Sequence, residues 1–135
     1  MLIVAVLILL VFSGLIGLVT DTANLQVARQ RAQTAADAAA IAAWHEFHNG
    51  NTAGMLRAAE GDAARNGVTA GEMAKIEVHC PPQVGDYSTD SNAVEASIVV
   101  QAPTIFMRVF GKSAVTVRAR AVALAAQSGL VTLGE

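Results

Sequence analysis

The first twenty residues, Met1 to Thr20, contain no Asp, Glu, Lys, Arg or His, and most of their side chains are large and apolar. About 20 apolar residues, each rising roughly 1.5 Å along a helix, match the roughly 30 Å hydrocarbon core of a bilayer. The rest of the 135-residue chain suffices for one small domain. The run therefore predicts a helix for a bilayer or a filament core, with a small domain attached.

From Asp21 to His48 the helical periodicity continues, but the apolar stripe is almost entirely alanine. The stripe consists of Leu25, Ala28, Ala32, Ala35, Ala39 and Ala42. Alanine is the strongest helix former, and its small side chain permits close packing. Because no proline or glycine lies between Thr20 and His48, we predict one continuous helix of about 48 residues and about 70 Å. Such a rod suits a subunit that is bundled along a filament axis.

Small side chains interrupt the apolar run at Ser13, Gly14 and Gly17. Ser13 and Gly17 form a small-xxx-small pair, a spacing that lets a second helix approach closely inside a membrane. These positions are therefore predicted to take part in helix packing.

Residues 49–135 predict a small head with a second helix from Thr52 to Arg65 and about three strands. The predicted strands are Lys75 to Cys80, Val94 to Ala102 and Val115 to Leu124. With the long helix over residues 1–48, of which 1–20 is the membrane segment, the fold class is α+β. A single antiparallel sheet is expected to pack on the helices.

Two further head segments each allow two interpretations. Pro103 to Gly111 carries Phe106 and Phe110, which form either a contact patch or a turn whose aromatic rings close the bottom of the core. The tail from Gln127 to Glu135 is either a short strand that is added to a neighbour or a frayed end.

Asp21 is the first charged residue after the apolar run. A carboxylate at a bilayer edge or in a packed core is costly unless it is solvated or paired. Three alternatives stay open: it caps the following helical segment, it meets interfacial water, or it pairs with a cation of a neighbouring subunit. That cation would be Arg29, Arg31 or a free N-terminal amine.

Other function classes find little support. The net charge is −2 and the basic residues are dispersed, so no nucleic-acid footprint exists. Cys80 is the single cysteine and has no CxxC partner. No phosphate loop, nucleophile elbow or paired carboxylates for acid/base work are recognisable. We therefore expect no enzymatic activity, no cofactor and no small-molecule substrate.

The segment from Trp44 to His48 is the only candidate metal site in the sequence. It is not an HExxH motif, because Asn49 stands where the second histidine would lie. His45 and His48 would need Glu46 or His79 as further ligands. In the alternative that we favour, they form a polar helix end that interacts with the helix dipole, while Trp44 packs on the head.

The stretch from Gly17 to Trp44, GLVTDTANLQVARQRAQTAADAAAIAAW, resembles the N-terminal signature of the TadE/TadG-like pilus-assembly family of tight-adherence systems. The matching positions are Asp21, Leu25, Ala28, Arg29, Arg31, Gln33, Ala35, Ala36, Asp37, Ala38, Ala39 and Ala40. Asn24 and Ala32 depart from the Arg and Leu that the family often carries. Ala5 replaces the Glu that marks ordinary major type IV pilins.

The resemblance implies export, membrane anchoring and a role in building or decorating a pilus, without enzymatic activity. We expect a structural subunit that assembles with itself or other pilins through its N-terminal helix. The alternative is a membrane-anchored minor pseudopilin or assembly factor that does not polymerise extensively. The expected helix-packing and assembly residues are Ser13, Gly14, Gly17, Asp21, Leu25, Ala28, Arg29, Arg31, Ala32, Ala35, Asp37 and Ala39. Phe106 and Phe110 are possible head contacts.

Orientation in the membrane depends on processing. The first basic residues, Arg29 and Arg31, follow the apolar run, and the positive-inside rule alone would keep the head in the cytoplasm. Removal of a basic leader ahead of Met1 by a prepilin peptidase, with the apolar run retained, would reverse this orientation. We expect that route, with the chain in the inner membrane before assembly and in a cell-surface filament afterwards.

Overall fold

The computed structural model describes residues 1–126 and 129–134, and it confirms the predicted α+β class. In the described residues, two α-helices precede four strands; one short 3-10 helix lies between the α-helices and another between the second and third strands. The helices are α1 (Leu2–His48) and α2 (Met55–Arg65), and the strands are β1 (Ala74–His79), β2 (Val94–Pro103), β3 (Ala114–Ala126) and β4 (Gly129–Gly134). The 3-10 helices are Thr52–Gly54 and Met107–Phe110.

Helix α1 is uninterrupted over 47 residues, as the absence of helix breakers after Thr20 predicts. At about 1.5 Å per residue it is about 70 Å long. It ends at His48, and Gly50 two residues later adopts a φ of +76°, a conformation that favours glycine. The rod then turns into the short connection to α2.

The two halves of α1 have opposite surroundings. In the first half, the most apolar 18-residue window has a mean hydropathy of 3.1 and none of it is buried, which makes the helix a candidate membrane span. In the second half, six alanines are fully buried against α2 and the sheet, whereas Leu25, Ala28 and Ala42 of the predicted stripe are half-buried. The buried alanines are Ala32, Ala35, Ala36, Ala39, Ala40 and Ala43.

The sheet is antiparallel with the strand order β1-β2-β3-β4. Ile98 at its centre faces Ile76 on one side and Ala119 on the other, and all three are buried. On β3, Val117, Ala119 and Ala121 are buried and Thr116 and Arg118 are exposed, so the predicted alternation of faces is confirmed there. These buried residues form one core with the alanines of α1 and α2.

The sheet has one strand more than the approximately three that the sequence predicts. Residues Gly129–Gly134 of the tail form β4, which pairs with β3 of the same chain. Gln127, Ser128 and Glu135 of the predicted tail lie outside the described residues. The predicted boundary between residues 48 and 49 falls at the end of α1, although the second half of α1 contributes to the core of the head.

Candidate functional site

Asp21 lies where the exposed half of α1 ends, yet its side chain is only 1% exposed. Its Oδ1 accepts a hydrogen bond from the backbone N–H of Ile105 at 2.7 Å, and its Oδ2 accepts one from the N–H of Met107 at 2.8 Å. Both donors belong to the β2–β3 loop (residues 104–113). The carboxylate therefore ties this loop to α1, a partner that none of the sequence-based alternatives included.

The loop amides also set the ionisation of Asp21. The N–H groups of Ile105 and then of Met107 hold its pKa below the ordinary value of 3.8, and burial opposes them only partly. Hydrogen bonds to the charged form of a carboxyl group stabilise that form. Asp21 is consequently an anion at neutral pH, and its charge is balanced by backbone dipoles.

Gly17 and Gly14 make room for an aromatic ring of the same loop. A Cβ on Gly17 would lie 2.5 Å from Cδ2 and 2.8 Å from Cβ of Phe106, distances that real side chains essentially never adopt. A Cβ on Gly14 would lie at 3.5 Å from Cζ of the same ring. The predicted small-residue surface is thus covered on this side by Phe106, while the hydroxyl of Ser13 donates to the carbonyl of Leu9 at 2.8 Å.

The loop itself is compact. The Thr104 N–H donates to the carbonyl of Ser113 at 3.0 Å, and the Thr104 hydroxyl donates to the carbonyl of Lys112. The Lys112 N–H in turn donates to the carbonyl of Met107 at 3.0 Å. Gly111, with a φ of +80°, ends the short 3-10 helix. These bonds close the loop on itself next to α1.

The loop presents apolar side chains to the outside. Ile105, Val109 and Phe110 are 67%, 78% and 74% exposed. Phe106 is half-buried on α1, and Phe110 meets its ring edge-on with centroids 5.6 Å apart. Neither ring belongs to the main core of the head. The geometry is that of an exposed patch held by one ring on the long helix.

The remaining predicted assembly residues lie in the second half of α1. Arg29 and Arg31 are exposed, whereas Leu25 and Ala28 are half-buried against the core. Ala32, Ala35 and Ala39 are covered by the chain's own sheet and second helix and are not surface residues in this structure. Asp37 accepts a hydrogen bond from Nε2 of Gln33 at 3.1 Å.

A buried ion pair that was not anticipated from the sequence links β3 to β2 and to the β1–β2 loop. Arg120 Nε lies 2.8 Å from Glu95 Oε1, and the other Glu95 oxygen accepts the N–H of Gln83 at 2.7 Å. Gln33 on α1 donates to the carbonyl of Arg120 at 3.1 Å. The one sequence signal for this pair was Glu95, a charged residue inside the largely apolar β2 sequence.

The aromatic end of α1 packs on the head. Trp44 Nε1 donates to the carbonyl of Asn92 at 3.2 Å, and the His48 ring stacks on Trp44 with centroids 4.1 Å apart. His45 meets Trp44 edge-on at 5.4 Å. In residues 1–126 and 129–134, no three His, Cys, Asp or Glu side chains are grouped so that they could hold a metal ion.

The described residues combine a long helix, whose first half is a candidate membrane span, with a small head that packs on the second half. Residues 1–64 match the family described as putative Flp pilus-assembly TadE/G-like. The predicted resemblance to this family is confirmed over residues 1–64, which comprise α1 and all but the last residue of α2. Comparisons with curated proteins and with solved structures gave no match. This match indicates a pilus-related role, and the apolar helix fits membrane anchoring.

Proposed function

We propose that this chain is a structural, pilin-like subunit that assembles into an extracellular pilus through the first half of α1. The observation that carries the proposal is the exposure of the charge-free segment, whose large apolar side chains are all more than half exposed. Such a surface is unfavourable in water. In the membrane it is covered by lipid, and in a filament it would be covered by the corresponding helices of other subunits.

The proposal assigns the assembly surface to the first half of α1 alone. The fully buried alanines of the second half are already covered within the chain, so they offer no free surface to a neighbouring subunit. In the proposed route the chain resides in the inner membrane with its head exported, and it then enters a filament of identical or related subunits. Its role is structural, without catalytic activity or a bound cofactor.

Immunogold electron microscopy of surface filaments, with an antibody against the head, tests this function. Labels along the whole filament would support the repeating-subunit proposal. Labels restricted to one filament end, or to the cell membrane, would contradict it. Mass spectrometry of sheared filaments gives the ratio of this chain to the most abundant pilin and checks the same point independently.

The double variant Ile8→Ala and Leu15→Ala separates assembly from insertion. Both side chains are exposed on α1, and their truncation removes packing surface while the segment stays apolar and free of charge. We expect unchanged amounts in the membrane and fewer subunits in the sheared fraction. Ala53→Ser on the exposed connection to α2 is the matched control, because it lies far along the chain from the apolar segment.

A minor, membrane-anchored pseudopilin is the second candidate, favoured by one specific contact. Phe106 occupies the Gly14 and Gly17 side of the apolar segment and thereby shields part of the surface that a neighbouring helix would use. A subunit that starts, caps or stabilises a pilus needs fewer such contacts than a repeating one. End-labelling in the immunogold experiment is the outcome that this candidate predicts.

A further inference from the structure

The exposed side chains of the β2–β3 loop continue the apolar surface of the membrane segment. Val109 and Phe110 project from a loop that is fixed to α1 at Asp21 and, through Phe106, at Gly17. The ring of Phe110 contacts that of Phe106, whereas Ile105 faces a groove beside Asn24 and Val27. Isolated exposed apolar side chains are ordinary, but a contiguous group next to a membrane span is a contact surface. The nearest environment that this group can share with α1 is the bilayer.

The level of Phe106 along α1 places the loop at the edge of the membrane. Its ring reaches Gly14, which is seven residues before Asp21 in the sequence and therefore about 10 Å farther along the helix axis. A span over residues 1–20 fills roughly 30 Å of hydrocarbon, so the ring lies within the outer third of that span. The loop around this ring must therefore contact lipid while the segment is inserted.

The hydrogen bonding of the loop suits this position. Irregular backbone is not tolerated next to lipid unless its polar groups are satisfied. Asp21 accepts the N–H groups of Ile105 and Met107, and the loop's own carbonyls accept those of Val109, Gly111 and Lys112. The carboxylate thus satisfies two backbone N–H groups that would otherwise need water as an acceptor at the membrane edge.

The charges of the loop are also those of an interfacial segment. Residues 104–113 contain two basic residues, Arg108 and Lys112, and no acidic ones. Both are exposed and close in sequence to the apolar side chains. Apolar side chains combined with Lys or Arg are typical of segments that lie in the headgroup region, where the cations meet lipid phosphates.

From these observations we propose that residues 106–110 insert into the headgroup and outer acyl region of the bilayer on the head's side. The loop and the span of α1 then form two separate contacts with one membrane. A single helix leaves the head free to tilt and to rotate about the helix axis. The second contact fixes both angles, so every head would face the lipid with the same side before assembly.

Site-specific fluorescence of the full chain in vesicles tests the insertion. In a Cys80→Ser background, the single cysteines Phe110→Cys and Val109→Cys place an environment-sensitive nitrobenzoxadiazole label on the loop. Ala53→Cys is the matched control, since Ala53 is exposed and lies beyond the far end of α1. The vesicles contain phosphatidylethanolamine and phosphatidylglycerol, and quenching by lipids with a nitroxide near the headgroup is compared with quenching by aqueous iodide.

We expect blue-shifted emission, strong quenching by the nitroxide lipid and little quenching by iodide at positions 109 and 110, with the reverse at position 53. Equal iodide quenching at all three positions would overturn the proposal. Nanodiscs that hold one chain each identify the covering partner. If the loop labels become accessible to iodide there, a second copy covers the loop in vesicles, and lipid insertion is ruled out. The measurement needs no pilus, so its failure is distinct from failure of the proposed function.

Discussion

The two halves of α1 share one unbroken helical backbone and differ in the size of their apolar side chains. The large apolar side chains of the first half are Leu, Ile, Val and Phe and are exposed, whereas the apolar face of the second half is mostly alanine and packs on the head. Large side chains maximise contact with a partner outside the chain, such as lipid or another helix. Alanine allows a sheet and a second helix to approach the rod closely. Side-chain size therefore marks where the chain supplies its own packing partner.

Enlarging a buried alanine gives the largest expected effect and tests this contrast directly. Ala39→Leu inserts three extra carbons into a position that is 0% exposed, and overpacking of this kind costs about 1–3 kcal/mol. We expect a lower urea concentration at the unfolding midpoint of the detergent-solubilised chain. Trp44, the only tryptophan, reports on the core by fluorescence.

Leu9→Ala is the matched control in the first half, where Leu9 is exposed. It should leave the urea midpoint of the head unchanged. If the two variants shifted the midpoint equally, the two halves would not differ as described.

A change at Gly17 sharpens the comparison, because here the first half does contact the head. Gly17→Ala places a methyl group within 3 Å of three Phe106 atoms, including its Cβ, so the loop backbone must move. We expect faster hydrogen–deuterium exchange across residues 104–113 and little change in the rest of the head. Gly61→Ala is the control: it meets no atom within 4 Å and should stabilise α2 by about 0.5–1 kcal/mol. Unchanged exchange in the loop would show that Phe106 does not rest on the glycine surface.

Asp21→Asn probes the polar half of the same contact. The amide has one acceptor oxygen in place of two, so one of the N–H groups of Ile105 and Met107 loses its acceptor. We expect loss of exchange protection at one or both amides while the urea midpoint of the core stays close to the native value.

Asp37→Asn is the matched control on the same helix, because Asp37 accepts from the Gln33 side chain and not from the loop. Equal loss of loop protection in both variants would contradict the specific role of Asp21.

Much of the fold is readable from the sequence because it depends on local patterns. The absence of Gly and Pro after Thr20 predicts the length of α1, and alternation at Val117 and Ala119 predicts the buried face of β3. The second helix was expected from Thr52 to Arg65, and the structure divides it into a 3-10 turn and α2. That difference lies within the usual uncertainty of helix ends.

The site could be predicted only in part, because its contacts join distant segments. The sequence marks Asp21, Gly17 and Phe106 separately, but the bonds of Asp21 to Ile105 and Met107 span 84 and 86 residues. Charge at the end of an apolar run shows that a partner is needed and does not identify it. The alanine stripe has the same limit, since its periodicity predicts burial equally well under a neighbouring subunit or under the chain's own sheet.

Acidification gives the smallest expected effect. The folded-state pKa of Asp21 lies below its ordinary value of 3.8 because the Ile105 and Met107 amides stabilise the carboxylate. Its contribution to loop anchoring is therefore complete above about pH 4 and decreases as the pH falls through the folded-state value. The amide chemical shifts of Ile105 and Met107 should titrate in that acidic range, below the value of a free aspartate. A transition at or above the ordinary value, or an identical one in Asp21→Asn, would contradict this assignment.

The continuity of α1 also has a mechanical consequence. Between Thr20 and Asn49 the rod contains no glycine or proline at which it would bend readily, and its last turns are bound into the head. Torque or tension applied to the apolar half is transmitted directly to the head, which turns through the same angle. Because the helix has no hinge between Thr20 and Asn49, a force that displaces its apolar end also displaces the head.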